Sequence, residues 1–258
     1  MISEAFAARR ALGRAALVPY LTAGYPERGS TVAALEALAA AGADVLELGI
    51  PFSDPLADGP TIQHASFVSL EMGTTVVKVL EDLAAFRAGG RTPVVLFTYL
   101  NPVLSYGLAR FLRDAESAGA NGLLVTDLPT GSDPALEQEI IASPLDLIRL
   151  IAPTTPIERV PEVAVGGSGF LYYISRTGVT GARSELRDEL AEEVGRIRDA
   201  VSLPVAVGFG ISTPEQAAAV GSAADGVVVG SALIQALGRG GVAEGARFLA
   251  SLRKALDT

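Results

Sequence analysis

Short runs rich in valine, leucine and isoleucine alternate along the chain with longer stretches whose apolar residues recur every three or four positions. Apolar runs of about four to eight residues bounded by turn-forming residues read as buried strands, and the wider spacing reads as helix. On this basis residues 17–22, 44–48, 93–98, 122–127, 145–151, 169–175, 204–208 and 226–229 are predicted strands. Residues 31–41, 76–88, 108–118, 134–142, 157–163, 185–200, 214–220 and a run beginning at Ser231 are predicted helices. Val32, Leu35, Leu38 and Ala39 form one such helical stripe.

Alternation of strand and helix implies a parallel sheet, because parallel neighbours are joined by crossovers. Eight strand–helix units in 258 residues, with no acidic, Pro-rich or Ser-rich linker between them, predict an α/β chain. The expected form is a single (β/α)8 TIM barrel over residues 1–258 with an extra N-terminal helix. A doubly wound sheet is the alternative, and eight repeats favour closure. In a barrel, the loops that follow the strands form the catalytic face. Residues 49–60 and 176–183 are the two lid candidates among them; Gly178 and Gly181 would let the second move, or simply make a turn.

Composition narrows the chemistry. With 49% hydrophobic and 19% charged residues the chain can bury a large core, yet its longest apolar candidate, residues 226–238, is too short for a membrane span. The first ten residues lack a basic segment followed by an apolar one, so no secretory signal is expected. The absence of cysteine excludes disulfides and thiolate chemistry and fits a cytoplasmic protein. A net charge of −9 argues against nucleic-acid binding. His64 is the only histidine, which leaves almost no material for a multi-histidine metal site or a Ser-His-Asp triad, so no metal is expected. The only lysines, Lys78 and Lys254, fall in predicted helices, where exposure disfavours a Schiff base.

Glu47 is the residue the pattern makes unusual. Period-two alternation puts Val45, Glu47 and Gly49 on one strand face and Leu46, Leu48 and Ile50 on the other. The Leu/Ile face should meet helices, so Glu47 points into the barrel near its mouth. Burying a lone carboxylate is costly, and desolvation raises its pKa towards neutrality, which suits proton transfer. The alternative is a glutamate paired with arginine or amide groups inside the barrel. Asp54 and Asp58 follow in a loop stiffened by Pro51, Pro55 and Pro60, and spacing alone does not choose between these two acids.

Three strand ends suggest a phosphate site. They are Gly178-Val-Thr180-Gly181, Gly208-Phe209-Gly210, and Gly230-Ser231, which opens a helix. Glycines allow close backbone approach, and helix-start amides attract anions. Tyr20, Phe97, Tyr99, Tyr172 and Phe209 lie at or near strand ends, where they could line a flat apolar pocket. His64 reads as a surface or helix-start residue.

Together these motifs resemble the tryptophan synthase α subunit family. The resemblance rests on Leu46-Glu-Leu-Gly-Ile-Pro-Phe-Ser-Asp-Pro-Leu-Ala-Asp-Gly-Pro-Thr-Ile-Gln63. It is supported in family order by Pro19-Tyr-Leu-Thr-Ala-Gly-Tyr-Pro26, Tyr99 with Asn101, Thr126-Asp-Leu-Pro129, Ser175-Arg-Thr-Gly-Val-Thr-Gly181, Gly208-Phe-Gly-Ile211 and Val229-Gly-Ser231. The resemblance implies cleavage of indole-3-glycerol phosphate to indole and glyceraldehyde 3-phosphate without a cofactor in this chain. It makes Glu47 the general acid/base and Asp58 the carboxylate that meets the indole N–H. It assigns phosphate binding to Gly181, Gly210, Gly230 and Ser231, and the indole pocket to Tyr20, Phe97, Leu124, Tyr172 and Phe209. Thr180 becomes the lid threonine. It also implies a pyridoxal-phosphate β subunit as partner in an αββα heterotetramer, contacted through Pro51, Phe52, Asp54, Asn101 and Pro129. His64 and Ser66 stand where asparagine is common in the family.

Overall fold

A computed structural model describes residues 1–175, 184–208 and 210–258, with 184–189 described by backbone only. Its strands are β1 (Ala16–Thr22), β2 (Leu46–Gly49), β3 (Val94–Thr98), β4 (Gly122–Val125), β5 (Asp146–Leu147), β6 (Arg149–Ile151), β7 (Leu171–Ile174), β8 (Val205–Gly208) and β9 (Gly226–Val229). All pairings are parallel, in the order β5-β4-β3-β2-β1-β9-β8-β7-β6. The two ends of that order, β5 and β6, flank Ile148 in the chain, so the sheet curls round into a TIM barrel.

The predicted fifth strand, 145–151, is therefore two short segments. Asp146 and Leu147 pair with β4, whereas Arg149 to Ile151 pair with β7. The other predicted strands are present, 226–229 with the expected ends and the rest with shifted ones. One helix escaped the sequence pattern, Leu100–Tyr106 after β3, and the helical stretch expected from His64 begins earlier, as Pro60–Glu71 after β2. Both carry a proline near the start, where its missing N–H costs the helix nothing. Among the described residues no helix is long and apolar enough to cross a membrane.

Strand alternation sorts the core into two layers. Ala16, Val18, Val45, Val95, Leu124, Ala206 and Val228 fill the barrel bore, while Leu17, Leu46, Leu48, Leu96 and Val227 pack against the helices. The N-terminal helix, Ile2–Ala11, stops the bore at the strand starts. Ile2 and Phe6 are buried there, and Phe6 stacks on Phe170 with ring centroids 5.2 Å apart. Gly122 and Gly226 leave the necessary space: a Cβ on them would come within 2.9 Å of Ile2 and 2.7 Å of Phe6. Burying two such side chains stabilises the fold by roughly 1.5–3 kcal/mol each. Asp44 ties this helix to the last one, accepting hydrogen bonds from Arg9 Nε at 2.6 Å and Arg253 Nη1 at 2.9 Å. With the strand starts closed, the opposite end is where a site can form.

Candidate active site

Glu47 lies on β2 between Tyr20 of β1 and Val95 of β3 in register. As alternation requires, it faces the bore. It is fully buried, and neither carboxylate oxygen has a hydrogen-bond partner among the described residues. Among the described residues, then, no arginine or amide pairs with this glutamate. Burial alone pushes its pKa up to about 8, so the acid is largely protonated near neutrality.

Glu47 and Asp58 both line one cavity of about 420 Å³ at the barrel mouth, a size suited to a small ligand. Tyr20, Phe97 and Tyr172 supply its aromatic wall. Tyr20 meets Phe97 edge-on with centroids 5.1 Å apart, and its hydroxyl lies 3.3 Å from Thr22 Oγ1. The Tyr20 and Tyr172 rings each lie against a glycine, Gly49 and Gly208, where a Cβ would collide with the phenol. Burial, reinforced by the nearby carboxylates, raises both phenol pKa values, so these hydroxyls stay protonated.

The carboxylate loop is held from β3. Tyr99 is buried, its ring centroid 5.3 Å from that of Phe52, and its hydroxyl accepts the Ala57 N–H at 3.0 Å. The same hydroxyl also favours the ionised form of the Asp58 carboxylate. Burial raises the Asp58 pKa to about 6, opposed by that phenol. Gln63 fixes the end of the loop by donating to the Asp58 carbonyl at 2.9 Å. Asp54 is exposed and accepts a 2.5 Å hydrogen bond from Ser53, away from the cavity wall. Geometry therefore separates two acids that sequence spacing could not.

Gly210, Gly230 and Ser231 close the cavity on its other side. Gly210 has φ +70°, a conformation that favours glycine. The helix Ser231–Leu256 starts at Gly230 without a side-chain cap, leaving its first amides open to an anion. Ile62, Thr126, Leu150, Ser212 and Gln235 also line the cavity and were not singled out as site residues from sequence. Gln235 was detectable in principle, one helical turn beyond Ser231 on the same face.

Other expected site residues lie elsewhere. Tyr99 and Leu124 are buried but do not form the cavity wall; Leu124 belongs to the bore packing beneath it. Thr180, Gly181 and Phe209 fall outside the described residues, as does the second lid candidate, 176–183. Of the expected contact residues, Asp54, Asn101 and Pro129 are exposed, Phe52 is half-buried and Pro51 is buried. His64, Lys78 and Lys254 are exposed on helices.

A TIM barrel with a desolvated acid and a second carboxylate over an aromatic cavity defines a barrel enzyme of acid–base type. The family model for the tryptophan synthase alpha chain matches residues 6–254. The chain belongs to the tryptophan synthase alpha chain family, and its reaction is the carbon–carbon lyase step that cleaves indole-3-glycerol phosphate to indole and glyceraldehyde 3-phosphate. A tryptophan synthase alpha chain from Gluconacetobacter diazotrophicus is 52% identical over 237 residues, covering 92% of this chain and 86% of that one. The alpha subunit of Legionella pneumophila superposes with a TM-score of 0.91 at 38% identity, covering 99% of this chain and 98% of that one. A chain of Mycobacterium tuberculosis tryptophan synthase gives 0.89 at 39% identity, covering 100% and 98%.

Proposed function

We propose that Glu47 is the general acid and base of the cleavage and that Asp58 holds the indole N–H. Glu47, protonated, delivers its proton to indole C3 and gives the indolenine, whose N–H cation Asp58 stabilises as a carboxylate. The side-chain hydroxyl next to the ring then loses its proton to the Glu47 carboxylate. Its electrons form the aldehyde carbonyl, the C–C bond breaks, and that electron pair restores the aromatic indole. One residue thus gives and regains a single proton, and no metal or organic cofactor is needed in this chain. The observation that carries this reading is a buried, unpaired carboxyl group sharing a cavity with a second acid.

Tyr20, Phe97 and Tyr172 flank the indole ring, with Phe209 as a further wall. The phosphate is bound by amides at Gly181, Gly210, Gly230 and Ser231, with Thr180 ordering the lid. The exposed placement of both lysines disfavours an aldolase-type Schiff base as the rival chemistry.

The partner is a tryptophan synthase β subunit carrying pyridoxal phosphate, in a cytoplasmic αββα heterotetramer. Phe52, Asp54, Asn101 and Pro129 belong to the contact, with Pro51 shaping the loop behind it. Leu56, 92% exposed, supports this, because an apolar side chain so bare on the loop that carries Asp58 gains from being covered. The test is indole release from indole-3-glycerol phosphate with and without a β subunit. Release in both, faster with the partner, is expected; no release in either would sink the assignment.

A further inference from the structure

The barrel has a seam. The β4–β5 ladder ends at Leu123 opposite Leu147, and the last bond across it runs from Ile148 N–H to Leu123 O at 2.9 Å. Beyond that point β6 pairs with β7 alone, so β4 and β6 part as they approach the mouth. A cavity of about 350 Å³ occupies the gap, and Thr126 and Leu150 line both it and the catalytic cavity.

The seam cavity has a distinct chemistry. Val125, Leu128, Leu147 and Val163 make much of it apolar, and its charged lining is Arg149 and Arg159, the latter exposed at the rim with its Nε 3.5 Å from Glu162 Oε2. On a chain of net charge −9 such a lining is unusual. Arg149 is only 4% exposed. Its Nε donates to Val165 O at 3.2 Å, and its Nη2 donates to Glu137 Oε2 at 2.5 Å and Val165 O at 3.1 Å. Its Nη1 has no hydrogen bond among the described residues and is not sealed from solvent, so it is a donor open to a guest in the cavity. Glu137 already offsets much of the Arg149 charge, so the remaining donor suits a single carboxylate better than a dianion. Thr154 and Thr155 add hydroxyls.

We propose that the seam is a second ligand site, fitted to a small apolar molecule bearing one carboxylate, and that its occupancy reaches the catalytic cavity through Leu150 and Thr126. The carboxylate meets Arg149 Nη1 and Arg159, and the apolar body lies along Val125, Leu147 and Val163. An occupant there buttresses Leu150 from behind and alters the wall against which the substrate ring packs.

The test uses the full chain and phenylacetate as probe, followed by calorimetric titration and by kinetics of indole release. Saturable binding is expected, weakened by about tenfold in phenylacetamide and in Arg159→Ala. It should also be lost in Thr155→Trp, which fills the cavity. Saturating phenylacetate should change the KM for indole-3-glycerol phosphate by about twofold or more in the parent chain and not in Arg159→Ala, whose own kinetics without probe match the parent. Arg149 is left intact because its removal would strand Glu137. No saturable binding, equal binding of the amide, binding that survives Thr155→Trp, or competition with indole would each overturn the second site. Binding with an unchanged KM would overturn the coupling.

Discussion

Tyr99 holds Asp58 from a neighbouring strand end: its hydroxyl accepts the N–H of the adjoining Ala57 and helps to keep the Asp58 carboxylate ionised. A single phenol thus fixes both the path of the loop and the charge state of its acid.

The first prediction is a bell-shaped pH profile. Asp58 acts ionised, so activity falls as pH drops through about 6. Glu47 acts first as an acid, so activity falls as pH rises through about 8. Tyr99→Phe removes the phenol hydroxyl that lowers the Asp58 pKa, and the acidic limb should move to higher pH while the basic limb stays. Profiles of kcat/KM for both chains test this, and an unmoved acidic limb would detach Tyr99 from Asp58.

Glu47→Gln should nearly abolish indole formation while substrate still binds, and Asp58→Asn should cut the rate heavily with little loss of stability. Stability gives an independent readout for Glu47. Its folded pKa of about 8 lies above the ordinary 4.5, so the folded chain holds a proton the unfolded chain releases. That contribution is complete below pH 4.5 and is lost as pH rises through about 8. Glu47→Gln removes this dependence. Denaturant unfolding should therefore favour the variant increasingly from pH 5 to 8, by an amount on the order of a few kcal/mol. Parallel stability curves would mean that Glu47 titrates normally.

Gly49→Ala places a methyl where the Tyr20 phenol lies. Tyr20 is confined by Phe97 and Thr22, so the ring must shift into the cavity or the strands must part. A stability loss of about 1–3 kcal/mol is expected, with a larger proportional loss of kcat/KM. Calorimetric melting and indole release measure the two effects; an unaffected kcat/KM would show that Tyr20 does not set the wall.

The Arg149–Glu137 pair is buried at both ends, and Glu137 Oε1 also accepts the Gly131 N–H at 2.7 Å. Glu137→Ala leaves a buried guanidinium without its counter-charge and should cost about 3–5 kcal/mol. The double change Arg149→Met with Glu137→Leu should recover most of that loss. Urea midpoints decide, and equal loss in both variants would refute the pairing argument.

The barrel and the bore-facing Glu47 were legible because strand alternation is a local property written into neighbouring residues. The divided fifth strand was not. Nothing within residues 145–151 announces that partners change at Ile148; that follows from how the ends of the sheet meet. The choice between Asp54 and Asp58 was hidden for a related reason. It depends on Tyr99, which follows another strand, and on Gln63 in a helix that begins before the expected start at His64. Motif resemblance selected Asp58 where local physics had no handle. Leu124 shows the opposite limit: its face was readable, but its depth along the bore was not.

Glu47 has no hydrogen-bond partner among the described residues, and this links what enters the cavity to the proton it carries. In the empty cavity its carboxyl group holds that proton tightly. A guest that offers a hydroxyl stabilises the ionised form and loosens it. Ligand uptake and proton release are then two faces of one equilibrium: a hydroxyl-bearing guest binds more tightly as pH rises, and guests without a donor do not. The acid is thus tuned by its own substrate.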